Sequence, residues 1–230
     1  SCGVEGRRTM FAWRAWVGGA AGGVRAGSGI VWRPVGAAGV GGETGDPEAW
    51  VMAITNDILD AIRGDSSLAA ADAQRVQKFV DEKVMPVVDF LRMTRTAVGP
   101  KWRQASDAQR TELQKLFREQ LIRVYSGALA TVKDQSVKLA PNRVKPTKTD
   151  AIVRTLLVSP GKPDTRINYR LKKVDGHWRI IDVDVEGIWL VNNYRTQFAS
   201  VVNQSGIEGL IKSLREKNAE AAGGAAPAQK

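Results

Sequence analysis

Two residue types on which much protein chemistry depends are almost missing: the 230 residues hold one cysteine, Cys2, and one histidine, His177. A single thiol closes no internal disulfide, and one thiol with one imidazole cannot build a zinc site of the usual Cys/His kind. Any Ser-His-Asp or Cys-His nucleophile would have to use His177. Long apolar runs are missing as well. The longest uncharged stretch near the start, Ala15 to Val24, has ten residues, against the roughly 20 that span a bilayer, so the mature chain is expected to be soluble. What is present is ordinary for a globular protein, 43% apolar and 25% charged, in a length that suits one large domain or two small ones. Lys and Arg number 34 against 24 Asp and Glu, a formal charge of +10.

The chain divides unevenly. Residues 1–45 carry 13 of the 23 glycines, 3 of the 7 tryptophans and no lysine, without the hydrophobic period of a helix or a strand. Arg7 and Arg8 precede an apolar stretch as in a secretion signal, but Arg14 and Arg25 interrupt it. The expectation for 1–45 is an irregular leader, disordered or a misassigned start standing in for a genuine signal. Residues 219–230 are rich in Ala, Gly and Pro and read as a disordered tail. The folded unit is therefore expected over 46–218. The leader's five arginines and two acids leave +7 for the remainder, so the body itself is basic.

That body reads as helices, then sheet, then helices. Asp46-Pro47 is a cap followed by proline at the first helical position, and Val51, Ile54, Ile58 and Ile62 follow at helical spacing up to Gly64. A second helix over about 72–84 meets Pro86, after which Val87, Val88, Phe90, Leu91 and Met93 resume an apolar stripe until Gly99-Pro100. Ser106 and Gln109 form a capping box opening the longest helix, about 107–132, with Leu113, Leu116, Phe117, Leu121, Val124, Tyr125 and Leu129 inward. From Ser136 the period becomes two, with strands near 136–144, 151–159, 165–174 and 177–186 and a hairpin at Asp175-Gly176. Strict alternation puts Trp178 and Ile180 on one face and Ile181, Val183 and Val185 on the other, so the sheet is expected to be apolar on both sides in part. Two helices, about 189–203 and 207–218, close the body. The fold class is α+β, an antiparallel sheet of about four strands packed against N-terminal and C-terminal helices.

Few residues suggest reaction chemistry. Asp182, Asp184 and Glu186 alternate on a strand and could hold Mg²⁺ or Ca²⁺ or act as an acid/base pair; the plainer account is pairing with neighbouring cations, Arg195 being the obvious one, and capping of the turn at Gly187. His177 follows the hairpin turn, where a general base would sit in water. Gly99-Pro100-Lys101 and Ser205-Gly206-Ile207-Glu208-Gly209 match no phosphate-loop spacing and read as helix punctuation. The basic residues are scattered and do not cluster with aromatics in one segment, against a nucleic-acid module. What remains is a surplus of large apolar side chains. A filled core would explain it, and so would an apolar cavity between sheet and helices for a carried ligand.

The order and spacing of Val88-Asp89-Phe90, Trp102-Arg103, Gln109, Phe117-Arg118 and Leu121 through Tyr125 resemble the MlaC, or toluene-tolerance auxiliary, family of periplasmic phospholipid-binding proteins. The second half is similar to the same family in Asn168-Tyr169-Arg170-Leu171, Asp175-Gly176-His177-Trp178, Asp182-Val183-Asp184-Val185-Glu186-Gly187, Asn193-Tyr194-Arg195-Thr196-Gln197-Phe198 and Gly206-Ile207-Glu208-Gly209-Leu210. The resemblance covers about 46–216. It departs at Gly99-Pro100, where the family usually continues its helix, and at Ile188-Trp189, which are bulkier than usual. It implies a non-enzymatic periplasmic carrier with no cofactor. Such a carrier would move glycerophospholipid between an outer-membrane lipoprotein complex and an inner-membrane ABC transporter, docking transiently at membranes without binding nucleic acid, and so maintain outer-membrane lipid asymmetry. The alternatives are a basic nucleic-acid-binding module and an enzyme on a cystatin-like sheet. With the acyl chains between sheet and helices, the residues expected to line the cavity are Phe90, Met93, Leu121, Tyr125, Val153, Tyr169, Val183, Leu190, Tyr194 and Phe198.

Overall fold

A computed structural model describes residues 45–70, 72–132 and 134–223. The expectations for the leader, Gly45 apart, and for the tail after Gly223 lie outside the described residues; residues 219–223, expected as the start of the disordered tail, continue the last helix. Helix α1, Pro47–Arg63, starts as its sequence demands: the Asp46 side chain accepts the Glu48 N–H at 3.0 Å, with Pro47 behind it. It buries Trp50, Val51, Ile54, Leu59 and Ile62. Short helices α2, Ser66–Ala69, and α3, Ala73–Phe79, follow. The chain then loosens into a π turn, Val80–Val84, and a 3₁₀ turn, Met85–Val87, around Pro86, which has no N–H to continue an α-helical ladder.

Val88 is extended and bridges Ile180 in the sheet, while the Asp89 N–H donates to the Ile180 carbonyl at 2.9 Å. This seam ties the helices to the strands. Asp89 caps α4, Phe90–Val98, and Gly99 ends it at a φ of 77° that favours glycine. A 3₁₀ turn, Gly99–Gln104, leads to α5, Asp107–Tyr125, whose Ser106/Gln109 capping box is formed in both directions. The expected 107–132 helix is thus α-helical only to Tyr125 and 3₁₀ over Ser126–Thr131. Val124, expected inward, is 52% exposed, as is Leu91 in α4; the neighbouring elements cover a narrower stripe of each helix than the apolar spacing predicts.

The sheet has five strands in sequential antiparallel order: β1 Ser136–Leu139, β2 Asp150–Val158, β3 Thr165–Val174, β4 His177–Val185 and β5 Ile188–Trp189. β1 stops short of the expected 144 because Pro141 cannot donate to the ladder. β5 is the strand that the periodicity did not reveal. Only two residues long, it is formed by a tight turn in which Glu186 and Gly187 both take positive φ, like Asp175 and Gly176 at the β3–β4 hairpin. The pairing slips where Leu171 faces Ile180 but Arg170 faces Asp182, leaving Ile181 as a bulge. This corrects the expectation of strict alternation. The extra residue turns Val183, opposite Tyr169, and Val185, opposite Ile167, to the face that already carries Trp178 and Ile180.

Helix α6, Leu190–Gly223, is kinked at Gly206, whose φ of 67° and ψ of −166° divide it where two helices were expected. Past the kink, Gly209 packs against Ser205 so tightly that a Cβ there would stand 2.1 Å from the Ser205 Cβ. The Gly-x-x-Gly spacing is therefore a packing device of the bend.

Buried apolar residues form three clusters. The helical one joins α4, α5 and α6; a second joins α1 to β2, β3 and β4; a third joins the end of α1 to α2, α3 and Val132. Phe117 is the hub of the first, 0% exposed, with ring centroids 5.6 Å from Phe90, 4.9 Å from Tyr194 and 5.3 Å from Phe198. Replacing Phe117 by Ala is expected to cost about 3–5 kcal/mol, measured as a drop in the urea-unfolding free energy; a loss below about 1 kcal/mol would show that this cluster is not closed.

Candidate functional site

Three residues proposed from the sequence form one lateral row across the sheet. Val153 of β2 pairs with Tyr169 of β3, and Tyr169 pairs with Val183 of β4. Alternation places all three on the face covered by Trp50, Val51 and Ile54 of α1. Their depth differs: Val153 is fully buried, whereas Tyr169 and Val183 are half-buried. Tyr169 hydrogen-bonds Thr55 of α1 and Thr155 of β2, and burial pushes its hydroxyl pKa up.

The other seven lie in the helical layer. Phe90 and Met93 of α4 and Tyr194 and Phe198 of α6 are sealed in the aromatic cluster around Phe117. Leu121 of α5 and Leu190 of α6 pack on that cluster but are half-buried, and so is Tyr125. Tyr125 hydrogen-bonds Tyr194, which also bonds Gln120; burial raises both tyrosine hydroxyls. The ten residues thus fall into five closed positions and five half-open ones, Leu121, Tyr125, Tyr169, Val183 and Leu190.

Further half-buried apolar side chains border the same clusters, Val88 and Met85 among them. Val88 packs against both the helical and the sheet cluster, and Met85 against the helical one. The sequence signal was the apolar run around Pro86, which reads as helix punctuation until the bridge to Ile180 shows where it lies. A compact domain usually has one contiguous core with small satellites. Here the helical and sheet clusters meet at the half-buried Val88, an arrangement that can take up an apolar molecule by parting side chains already in partial contact with solvent.

The polar face of β4 is held by protein donors. Asp182, 4% exposed, accepts the N–H groups of Val183 and Val191, each at 2.9 Å, and lies 3.7 Å from the Arg170 guanidinium. Arg170 in turn sits 4.3 Å from the centre of the Trp189 ring. Asp184, 1% exposed, accepts from Asn168 at 2.6 Å and from the Gly187 N–H at 3.4 Å. Glu186 pairs with Arg166. The expected pairing with neighbouring cations is observed for Glu186 and for Asp182, whose partner is Arg170 rather than Arg195 because the cross-strand register sets Arg170 opposite, whereas Asp184 is held by the Asn168 amide and the Gly187 N–H instead. Among the described residues no three His, Cys, Asp or Glu side chains gather as a metal-holding group. His177 is half-buried at the hairpin, its Nδ1 without a hydrogen-bond partner. No helix among the described residues is long and apolar enough to cross a membrane.

Comparison with known proteins matches this architecture. The profile of the MlaC protein family matches residues 53–216. The toluene tolerance protein Ttg2D of Pseudomonas putida is 22% identical over 161 residues, covering 70% of this chain and 74% of that protein. The intermembrane phospholipid transport system binding protein MlaC of Haemophilus influenzae is 17% identical over 173 residues, 74% of this chain and 81% of its own. Among solved structures, the phospholipid-binding protein of Ralstonia solanacearum, determined in complex with a phospholipid, superposes with a TM-score of 0.73 at 37% identity, over 77% of this chain and 99% of that one.

The joint between sheet and α6 has a pH signature. Burial pushes the Asp182 carboxyl pKa up, against the opposing effect of its two N–H donors and Arg170. The native state then holds this proton more tightly than the unfolded chain. The stability it contributes is fully present below the ordinary carboxylate range and lost as pH rises through the raised value. An Asp182→Asn variant keeps an acceptor for the Val183 and Val191 N–H groups and has no proton to lose. Urea midpoints measured from about pH 4 to 7 should fall more steeply for the wild-type protein than for the variant; parallel curves would refute the raised carboxyl.

Proposed function

The chain belongs to the MlaC protein family, and we propose that it is a periplasmic carrier of glycerophospholipid, holding the acyl chains between the sheet row and the helical layer. The observation that supports this reading is a set of five half-buried apolar side chains, Tyr169 and Val183 on the sheet and Leu121, Tyr125 and Leu190 on the helices, which keep part of their surface accessible. In this reading the five closed residues, Phe90, Met93, Val153, Tyr194 and Phe198, back the cavity wall and hold its shape. The phospholipid complex of the Ralstonia relative, at 37% identity, supports the choice of ligand. The carrier has no catalytic role and needs no cofactor; phospholipid is its cargo.

Physical chemistry constrains how such a carrier works. At roughly 0.8 kcal/mol per CH₂, two acyl chains with about 30 methylenes represent on the order of 24 kcal/mol of transfer free energy from water. Release into solvent is negligible on that scale. Lipid has to pass to another apolar site while the carrier is docked, and exchange runs both ways when donor and acceptor sites match within a few kcal/mol. The donor and acceptor we propose are an outer-membrane lipoprotein complex and an inner-membrane ABC transporter, whose exchange would maintain outer-membrane lipid asymmetry.

Native mass spectrometry of the purified full chain, followed by organic extraction, should find about one diacyl phospholipid per protein; a stably folded, lipid-free protein would overturn the reading. Placement of the wall is tested with two glutamates. Val183→Glu is expected to lower lipid content at least about tenfold with little change in melting temperature, since a half-buried carboxylate can reach water. Val153→Glu, at a fully buried position, is expected instead to lower the melting temperature sharply.

A further inference from the structure

The last turn of α4, the 3₁₀ turn after it, the start of α5 and the second turn of α6 line an open surface pocket of about 680 Å³, at which Arg95, Arg103 and Arg195 are exposed. Four arginines line it, Arg95, Arg103, Arg110 and Arg195, together with Thr96 and Trp102. Their sequence positions span a hundred residues, so no local run of the sequence shows the cluster. Arg110 is committed to the protein. It pairs with Asp107 at 3.1 Å, reaches the Trp102 carbonyl at 3.4 Å and lies 5.7 Å from the Trp102 ring centre. The other three are not: among the described residues, no carboxylate and no hydrogen-bond acceptor is engaged by the side chains of Arg95, Arg103 or Arg195. Elsewhere on the same helices, arginines do find acids, as in Arg92 with Asp89, Arg118 with Asp81 and Arg215 with Glu112. Three unneutralised guanidinium groups around one opening repel one another and hold the pocket at positive potential.

Along α5 the pocket lies far from the half-open Tyr125. Arg110 precedes Tyr125 by four turns of α5, ~22 Å along the axis, and the fully buried Leu113 and Phe117 lie between them. We propose that this pocket is a second ligand site, which binds a phosphate ester. Planar guanidinium forks match phosphate oxygens two at a time and keep their charge at any physiological pH, and the partly neutralised Arg110 with the Trp102 ring gives the site a fixed floor. The same chemistry is offered by a lipid head group at a bilayer surface and by a small soluble phosphate ester. Neither source requires the apolar cavity to be filled, so this site stands whether or not the chain carries lipid.

The test uses the full chain, a double variant R103Q/R195Q and a control R143Q/K145Q, which removes the same charge at exposed positions between β1 and β2. Two probes are applied: glycerol 3-phosphate in solution, by calorimetry, and vesicles of phosphatidylglycerol in phosphatidylcholine, by co-sedimentation. The wild-type protein is expected to bind at least one probe, and the pocket variant to bind it at least about tenfold more weakly. The control should change by less than about twofold, with melting temperatures unchanged in both. Binding of vesicles alone assigns the site to a membrane head group, and binding of glycerol 3-phosphate assigns it to a soluble ester; either supports the proposal. If the pocket double variant melts lower, Arg195→Gln alone carries the same comparison. Failure to bind either probe, or equal weakening by both double variants, overturns it.

Discussion

A single surplus residue in β4 decides which side of this sheet is oily. Had β4 alternated strictly, Val183 and Val185 would face away from Trp178 and Ile180, and the strand would present apolar groups to both sides. The bulge at Ile181 opposite the Arg170/Leu171 step rotates the second half of the strand. One face then carries Trp178, Ile180, Val183 and Val185, and the other Asp182 and Asp184. Everything beyond depends on that choice: α1 finds an apolar surface to cover, and the buried carboxylates find Arg170, Asn168 and the first turn of α6. A bulge breaks the local ladder, and here the gain is a uniform face beneath the helices.

The same constraint explains why the apolar residues do not form one core. The sheet cluster faces α1, the helical cluster is centred on the Phe117 aromatic group, and Val88, bridged to Ile180, touches both. A fully packed core would gain more dispersion energy, but would have nowhere to put an acyl chain. Closed residues such as Phe117 and Val153 supply stability, while half-open ones such as Tyr169, Leu121 and Leu190 lie at the margins where side chains can part. In the carrier reading, that division lets cargo enter and leave without unfolding the frame around it.

Charge is distributed by a comparable logic. Buried carboxylates are spent on structure: Asp182 receives two N–H groups at the joint between sheet and helix, and Asp184 holds the β4–β5 turn through Gly187. Four arginines of the helical layer, Arg92, Arg110, Arg118 and Arg215, pair with acids, and Arg123 bonds the Lys217 carbonyl and the Asn218 side chain. Arg95, Arg103 and Arg195 line one pocket, and surplus positive charge gathered in a concavity acts on a ligand in a way that the same charge spread over a surface does not.

The sequence by itself determined the elements whose signals are local. The Asp46-Pro47 start of α1, the Ser106/Gln109 capping box, the Asp175-Gly176 hairpin and the Gly206 break each depend on residues within a few positions of one another, and each stands in the structure as read. It also determined the α+β class and, through motifs in a fixed order, the family. What needed the tertiary structure was whatever depends on partners far along the chain. Strict alternation could not reveal the Ile181 bulge, because a bulge is defined by the register of β3 against β4. Helical spacing could not tell Phe90 from Leu121, or Val153 from Tyr169, because closed and half-open positions share one apolar pattern and differ only in what stands opposite. Nor could it foresee that Arg95, Arg103 and Arg195 meet. Proximity between α4, the 3₁₀ turn and α6 is created by packing around Phe117, and packing is a property of the folded whole.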